Sequence, residues 1–277
     1  MAHPTPLGRW AGLVALAACA APVLIGFFIP VVFLVGEVAS RELLEQVDGD
    51  FLRHLGTTVL VSVLATSAVL AAGIVLVTTA RFAKRRITAM AKAVGSIGYA
   101  VPGTVLALGL LSPLIFIDSL IATAWLGHSG DRLGLALMGS GAALVIAYTI
   151  RFLPIATGSI DAGLDRVSVG LEDAARTLGA RPRELVTRIQ LPLLRPALAS
   201  AALLVFVDCL KELPATLLLR PLNTETLATL VYGHASRGSF EDGALAAMLI
   251  VMVGIWPVMK LTKGAEAMPQ APRSSGS

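Results

Sequence analysis

The sequence contains few of the residues from which metal sites and disulfide frameworks are built. It has two cysteines and four histidines in 277 residues. Cys19 and Cys209 both lie within apolar runs and give no disulfide pattern. The histidines are scattered, without the Cys/His/carboxylate spacing of a metal cage. We therefore expect no metal site and no bound cofactor.

Sequence motifs for common enzyme chemistry are also missing. No G-x-x-x-x-G-K-[ST] phosphate-binding loop occurs, so ATP hydrolysis by the usual P-loop route is excluded for this chain. No nucleophile elbow and no H-E-x-x-H helix occurs either. We expect that the chain is not an enzyme by itself.

Charge is scarce and apolar residues are abundant. Charged residues make up 14% of the chain and hydrophobic residues 56%, with a mean hydropathy of +0.79. Spanning a bilayer as a helix takes about 20 apolar residues. The sequence thus predicts an all-α polytopic membrane protein with six transmembrane helices, at about 10–36, 55–80, 94–117, 133–157, 195–219 and 243–260. The lipid bilayer is one expected partner.

The two ends of the chain are polar. Residues 1–9 are predicted as a short cytoplasmic N-terminus, and 264–277, which are small, polar and contain two prolines, as a disordered cytoplasmic tail. Leu16–Cys19 has the form of a lipoprotein cleavage box, which leaves a cleaved signal peptide as an alternative. The apolar run continues well past Cys19, and this favours a membrane anchor.

The net charge of +4 does not indicate nucleic-acid binding, because the basic residues lie in loops between spans. With six spans and a cytoplasmic N-terminus, 16 of the 22 Lys and Arg residues fall in cytoplasmic segments. The positive-inside rule therefore predicts that both termini, and the polar segment after the fourth span, are cytoplasmic.

That polar segment, Leu171–Pro192, has the pattern of two short helices joined by a turn. Leu171, Ala174, Ala175 and Leu178 form one apolar stripe at helical spacing. Gly179 is suited to end the first helix in the left-handed conformation. Pro182 suits the first turn of a second helix with Leu185, Val186 and Ile189 on one side, and Leu191–Pro192 is predicted to stop it.

The spacing in this segment resembles the EAA loop of ABC-importer permeases. The matching residues are Asp173, Ala174, Ala175, Gly179, Ile189, Leu191 and Pro192. Asp173 stands where the family has Glu, and Glu172 would place the glycine one residue too far. The resemblance implies a cytoplasmic coupling loop, at about 165–192, that docks into a separate ABC ATPase subunit. An ordinary amphipathic helix on the membrane surface is the alternative.

The fifth predicted span is interrupted by charges and a proline. Asp208 and Lys211 are three residues apart and can pair, and Glu212 shares the face of Asp208. Charged groups inside a membrane usually face a bundle interior or a water-filled path. Asp208, Lys211, Glu212 and Pro214 are therefore candidates for the translocation path or a gate, or alternatively for a salt bridge that fixes helix register.

Two stretches are similar to the C-terminal half of ferric-iron ABC permeases: Asp208–Tyr232, and GYAVPGTVLALGL from Gly98. This resemblance implies a type I importer (MetI-like) fold, a periplasmic substrate-binding protein that delivers Fe³⁺, and cytoplasmic ATPase subunits. Those permeases fuse two halves, whereas this chain supplies one. A second permease half is therefore expected: another copy of this chain, a different chain, or the other half of a fused permease of which this chain is a split or truncated product.

Other interpretations keep some of these features. The same class of permease could carry thiamine, sulfate, molybdate or a polyamine. A secondary transporter or channel would have an inverted repeat, which the sequence does not show. A membrane-anchored structural protein would leave the coupling spacing unexplained.

Three further residues are assigned structural roles. Arg151 is predicted as a snorkelling anchor near a cytoplasmic helix end, Tyr99 as an interfacial or packing residue, and His234 as a solvated loop residue.

Overall fold

The structure, a computed structural model, describes residues 8–45, 47–82, 85–129, 135–167 and 169–266. These residues form helices and their connections, and no strand occurs among them. The helices are α1 Arg9–Ser40, α2 Gly49–Phe82, α3 Arg85–Ala100, α4 Gly103–Ser129, α5 Ala136–Ser140, α6 Ala142–Leu164, α7 Val169–Thr177, α8 Pro182–Leu210, α9 Pro214–Leu219, α10 Leu227–Ser236 and α11 Ala244–Glu266.

Six of these helices are long and apolar enough to cross a membrane: α1, α2, α4, α6, α8 and α11. The all-α class and the six spans predicted from hydropathy are thus confirmed. Two spans include π-helical turns, Leu24–Phe28 in α1 and Leu185–Gln190 in α8. The expected N-terminal segment 1–9 and tail 264–277 lie largely outside the described residues, although α11 reaches Glu266.

The third span was predicted as one run at 94–117, and this boundary is wrong. Helix α3 ends at Ala100 and α4 begins at Gly103. Pro102 lacks a backbone N–H, and its ring disfavours the helical conformation at Val101, the residue before it. The helix is therefore interrupted at Val101–Pro102. The fourth span is also displaced from 133–157. Gly141, with φ of +80°, separates α5 from α6, and α6 then continues to Leu164.

The fifth span was predicted at 195–219, with a stop at Leu191–Pro192 before it. That stop does not occur. Helix α8 begins at Pro182, passes through the π-helical turn Leu185–Gln190 and continues to Leu210. Pro192 lies in the first turn after the π-helical stretch, where the altered hydrogen-bond register accommodates its ring. The second half of the polar segment Leu171–Pro192 and the fifth span are therefore one continuous helix.

Helices α2, α6 and α8 form the centre of the bundle and approach closely. Ala65, Ala147, Ala156 and Val205 are completely buried in this core. A Cβ atom at Gly163 would lie 2.7 Å from Leu194 Cδ2 and 2.8 Å from Ala197 Cβ, so a larger residue would push α6 and α8 apart. Close approach over small residues is typical of helix packing in membranes, where lipid removes the hydrophobic driving force between helices. Helix α1 lies at the periphery. Val38 at its end and Leu43 in the turn after it pack against Ala244 and Leu245 of α11.

The third predicted span ended at residue 117, but α4 continues past it, and Asp118 lies inside this helix and is 1% exposed. Its Oδ1 accepts a hydrogen bond from the Leu137 backbone N–H at 2.7 Å, and its Oδ2 accepts one from Met138 at 3.1 Å. These donors belong to the first turn of α5, where a helix has no internal acceptors. The Asp118 carboxylate thus joins α4 to the connection before α6.

Replacing Asp118 with leucine is expected to destabilise the bundle, because two partly buried N–H groups would lose their acceptors, at a cost of up to about 1–3 kcal/mol each. Asp118→Asn should have a smaller effect, since one side-chain oxygen remains. The measurement is the midpoint temperature at which half of the protein in detergent is no longer monodisperse after heating. Asp165→Leu, at an exposed position beyond α6, is the matched control, and equal midpoints for the two leucine variants would contradict the prediction.

Candidate functional site

The turn after α7 fixes the direction of the polar segment Leu171–Pro192. Gly179 has φ of +85°, the left-handed conformation that the sequence predicted. The Ala180 N–H donates to the Ala175 carbonyl at 3.0 Å, and the Gly179 N–H donates to the Arg176 carbonyl at 3.0 Å. These bonds form a Schellman-type closure that satisfies the last carbonyls of α7. A residue with a Cβ at Gly179 would be strained in this conformation.

The chain begins α8 immediately after this turn. Pro182 occupies the first turn, and the Arg181 N–H donates to Glu184 Oε2 at 3.0 Å. Leu185 is buried, and Val186 and Ile189 are half-buried, so the face predicted for this helix packs inward. Because α8 has no break until Leu210, the turn is attached directly to a membrane span.

The outward side of this corner is apolar with one carboxylate. Leu171 is 44% exposed and Leu178 is 88% exposed, while Asp173 and Ala174 are exposed beside them. We call these four residues the elbow surface. The predicted apolar stripe therefore faces away from the rest of the chain, except that Ala175 is half-buried. Among the remaining motif residues, Gly179 and Pro192 are exposed, and Ile189 and Leu191 are half-buried.

Glu172, which the motif spacing set aside, lies on the opposite side of α7. It is 6% exposed, and its Oε1 accepts a hydrogen bond at 3.1 Å from Nε2 of Gln190, which is completely buried. This bond joins α7 to the π-helical turn of α8. Sequence reasoning missed both residues, although the position of Glu172 off the apolar stripe was a usable signal that it faces another direction.

The charged interruption of the fifth span is a true helix break at Lys211–Leu213, between α8 and α9. Lys211 Nζ lies 2.8 Å from Asp208 Oδ1, which confirms the predicted pair. The Lys211 side chain is 63% exposed. Glu212 does not share this surface as expected. It turns inward and is 7% exposed, because the helix ends before it.

Glu212 pairs with Arg151, which lies in the middle of α6. Arg151 Nε donates to Glu212 Oε2 at 3.1 Å, and Arg151 Nη1 donates to the Val101 carbonyl at 2.9 Å. The prediction that Arg151 is a snorkelling anchor is therefore wrong: α6 extends to Leu164, so Arg151 is far from that end. Its guanidinium contacts both helix breaks, at Val101–Pro102 and at Lys211–Leu213.

Further polar contacts surround this ion pair. Glu212 Oε1 accepts from the Ala215 N–H at 3.3 Å, and the Glu212 carbonyl accepts from the Tyr148 hydroxyl at 3.3 Å and from the Thr216 hydroxyl. A Cβ atom at Gly103 would lie 2.7 Å from Glu212 Oε1 and 3.3 Å from Arg151 Cζ. The charges are thus compensated within a close-packed site, which we call the central cluster: Val101, Gly103, Tyr148, Arg151, Glu212, Ala215 and Thr216.

The end of the bundle far from Gly179 has a cavity of about 410 Å³. Its polar lining is Asp48, Asp50, His54, His234 and Asp242. His234 lies on α10 and is half-buried, so its assignment to a solvated loop is wrong. Within the described residues, no three His, Cys, Asp or Glu side chains are placed to hold a metal ion. Tyr99 is exposed on α3, and its role stays a prediction.

Comparison with known proteins places this architecture in a family. The family model described as a binding-protein-dependent transport system inner membrane component matches residues 77–264. The Fe(3+)-transport system permease protein FbpB 2 of Haemophilus influenzae is 31% identical over 168 residues, 60% of this chain and 30% of the relative. The molybdenum transport system permease protein ModB of Escherichia coli is 30% identical over 167 residues, 57% of this chain and 72% of the relative.

PhnV of Salmonella typhimurium, named for a 2-aminoethylphosphonate transport system, is 32% identical over 130 residues, 46% of this chain and 49% of the relative. The matches with FbpB 2 and PhnV thus span 30% and about half of those proteins. These relatives differ in the substrate that their names give, so similarity alone leaves the substrate open.

Solved structures agree with the fold. A bacterial ABC transporter that imports the acidic polysaccharide alginate superimposes with a TM-score of 0.73 at 15% identity, covering 94% of this chain and 96% of the other. The inward-facing MetNI methionine ABC transporter gives a TM-score of 0.59 at 16% identity, covering 81% and 100%. The predicted MetI-like importer fold is therefore confirmed. The chain belongs to the family of binding-protein-dependent transport system inner membrane components, the permeases of ABC transporters.

Proposed function

We propose that this chain is a permease subunit of an ABC importer, and that separate ATPase subunits move it through the elbow surface. The observation that carries the proposal is the exposed apolar corner at Gly179, attached without a break to the membrane span α8. An apolar, water-exposed surface of this kind is suited to a groove on a partner protein. Asp173 supplies one polar contact at its edge.

The proposed orientation places the elbow surface and both termini in the cytoplasm. Its support is the charge asymmetry of the loops, because Lys and Arg are concentrated in the segments on that side. In this orientation the cavity lined by His54 and His234 opens toward the periplasm. A periplasmic substrate-binding protein then docks at that end, in keeping with the family description.

The functional importer contains two permease halves. The sequence contributes one six-span unit, and the second is another copy of it, a different permease chain, or the other half of a fused permease. We place the translocation path or its gate at the break between α8 and α9, with Asp208, Lys211, Glu212 and Pro214. Non-helical backbone and charged groups at membrane depth are tolerated where protein or water surrounds them.

Ferric iron is the proposed substrate. The support is the similarity to FbpB 2 and the segments Gly98–Leu110 and Asp208–Tyr232. The matches to ModB and PhnV make molybdate and 2-aminoethylphosphonate the second candidates. Growth of a deletion strain under limiting iron, molybdate or phosphonate separates them, together with uptake of radioactive iron into cells that express this chain. Normal iron uptake in the deletion strain would contradict the iron assignment.

Copurification tests the importer proposal directly. A tagged full-length chain, extracted in mild detergent, is expected to retain an ABC ATPase subunit. Asp173→Lys reverses the charge at the elbow surface and should reduce the retained ATPase about tenfold, equivalent to 1.4 kcal/mol of binding. Asp50→Lys, at an exposed position on the opposite end, is the matched control.

Two results would count against this proposal. Retention of the ATPase by both lysine variants alike would remove the elbow surface from the interface. Substrate flux into vesicles that contain this chain alone would instead identify a secondary transporter or a channel.

A further inference from the structure

Helices α6 and α8 are linked at two levels. At one end, the short helix α7 and the turn at Gly179 connect them, and Gly163 of α6 packs against Leu194 and Ala197 of α8 with no room for a Cβ atom. Toward the other end, Arg151 of α6 is bonded to Glu212, two residues beyond α8. The elbow surface thus lies at one end of this pair of helices, and the central cluster lies beyond the other end of α8, against the middle of α6.

The central cluster is also where two broken spans meet. The break at Val101–Pro102 presents the Val101 carbonyl, and the break at Lys211–Leu213 presents Glu212. The Arg151 guanidinium donates to both through different nitrogens. Arginine has five donors in a fixed planar fork, so it can hold two acceptors in a defined relative position.

Charge compensation alone does not require this arrangement. The Glu212 carboxylate also accepts from the Ala215 N–H at the start of α9, and a helix N-terminus favours a negative charge. Any cation near Glu212 would complete the neutralisation. The hydrogen bond from Arg151 to the Val101 carbonyl adds nothing to this neutralisation. It does fix the α3–α4 break relative to the α8–α9 break.

We propose that Arg151 is a positioning residue, which clamps the two helix breaks together and so transmits the movement of the elbow surface to the translocation path. This inference rests on the proposed function, because it assumes that α7 and α8 move with the ATPase subunits. It differs from a purely structural ion pair in requiring both arms of the guanidinium.

Arg151→Lys separates these two roles. A lysine keeps the positive charge beside Glu212, but it has a single donor nitrogen in place of a planar fork. Arg220 provides the matched control. Its Nη1 donates to the Thr224 carbonyl at 3.0 Å and pairs with Glu225, so Arg220→Lys makes the same chemical change within one loop.

The Arg220–Glu225 pair is a stable ion pair in its own right. Partial burial acts to raise the pKa of Glu225, but the hydrogen bonds from Arg220 and Thr229 outweigh the effect of burial and lower that pKa.

The first experiment uses a cysteine of the chain as the probe. Cys209 is buried at 3% exposure, three residues before Glu212, whereas Cys19 is exposed on α1. In a Cys19→Ser background, membranes are treated with N-ethylmaleimide. Arg151→Lys is expected to raise the labelling rate of Cys209 about tenfold through local opening, while Arg220→Lys leaves the rate as in the parent. Equal rates in the two lysine variants would overturn the clamp.

The second experiment measures coupling in the complex reconstituted with the copurified ATPase and the periplasmic binding protein. Stimulation of ATP hydrolysis by the binding protein should fall at least about fivefold in Arg151→Lys, the lower end of allosteric couplings, and should be retained in Arg220→Lys. Unchanged stimulation in Arg151→Lys would overturn the transmitting role and leave a structural bond.

The proposed function fails separately from this inference. If the parent complex shows no stimulation by the binding protein, the importer proposal is wrong, and the labelling result still decides whether Arg151 clamps the two breaks. If Arg151→Lys aggregates, Glu212→Gln is the second variant. It keeps the size of the side chain and one acceptor oxygen. It is expected to raise the labelling rate of Cys209 as Arg151→Lys does, but by a smaller factor.

Discussion

Gly98→Val is expected to separate α3 from α6 and to destabilise the bundle. A Cβ atom at Gly98 would lie 2.0 Å from the Ile150 carbonyl oxygen and 3.4 Å from the Arg151 Cα atom. These are backbone atoms, so a change of side-chain rotamer cannot relieve the clash, and α3 must move. Overpacking of this kind costs about 3 kcal/mol or more, and we expect the thermal midpoint in detergent to fall by about 10 °C.

The control for this prediction lies in the same glycine-rich stretch. A Cβ atom at Gly109, on α4, would meet nothing within 4 Å. Gly109→Val should therefore leave the midpoint within about 2 °C of the parent, the usual range for substitutions away from close contacts. The same loss of stability in both variants would show that valine in this stretch is harmful for a reason other than the contact with Ile150.

Gly179→Val is expected to abolish coupling while leaving the membrane bundle folded. The φ of +85° at this position costs a residue with a Cβ about 1–2 kcal/mol, and a β-branched side chain is the least tolerated. The turn would open, and the elbow surface would no longer face the ATPase subunit at the same angle. We expect ATP-driven uptake of the proposed substrate, measured with radioactive iron, to fall at least about tenfold. A tenfold fall corresponds to a loss of about 1.4 kcal/mol in the free energy that stabilises the docked state.

Two further variants make this result specific. Gly179→Asn should lose much less activity than Gly179→Val, because asparagine adopts the left-handed conformation more readily than other residues with a Cβ. Gly158→Val, on an open face of α6, tests for a general effect of valine. The coupling role of Gly179 would be wrong if Gly179→Val showed normal uptake and normal stimulation of the ATPase subunit.

The spans and the turn at Gly179 could be predicted because their signals are local. Six apolar runs follow from the thickness of the bilayer, and a left-handed helix end follows from one glycine between two helical patterns. The break at Val101–Pro102 was missed because hydropathy continues through it unchanged. The continuation of α8 past Pro192 was missed because a π-helical turn has no simple sequence signature.

The central cluster could not be predicted because its members are distant in sequence. Arg151 and Glu212 are 61 residues apart, and Arg151 and Val101 are 50 apart. The error in the end of the fourth span also moved Arg151 to an apparent helix terminus, where snorkelling is the simplest explanation. Glu172 was set aside by motif spacing, although its burial against Gln190 makes it a structural link of the same segment.

The uninterrupted length of α8 has a mechanical consequence. At 1.5 Å per residue, its 29 residues extend about 43 Å. A tilt of about 5° at Pro182 would therefore displace Leu210 sideways by about 4 Å, because a stiff rod amplifies rotation in proportion to its length. Arg151 joins Glu212 at 3.1 Å, so the clamp would carry this displacement on to the break at Val101–Pro102. A small rotation at the elbow surface would thus move the α3–α4 break by a comparable distance.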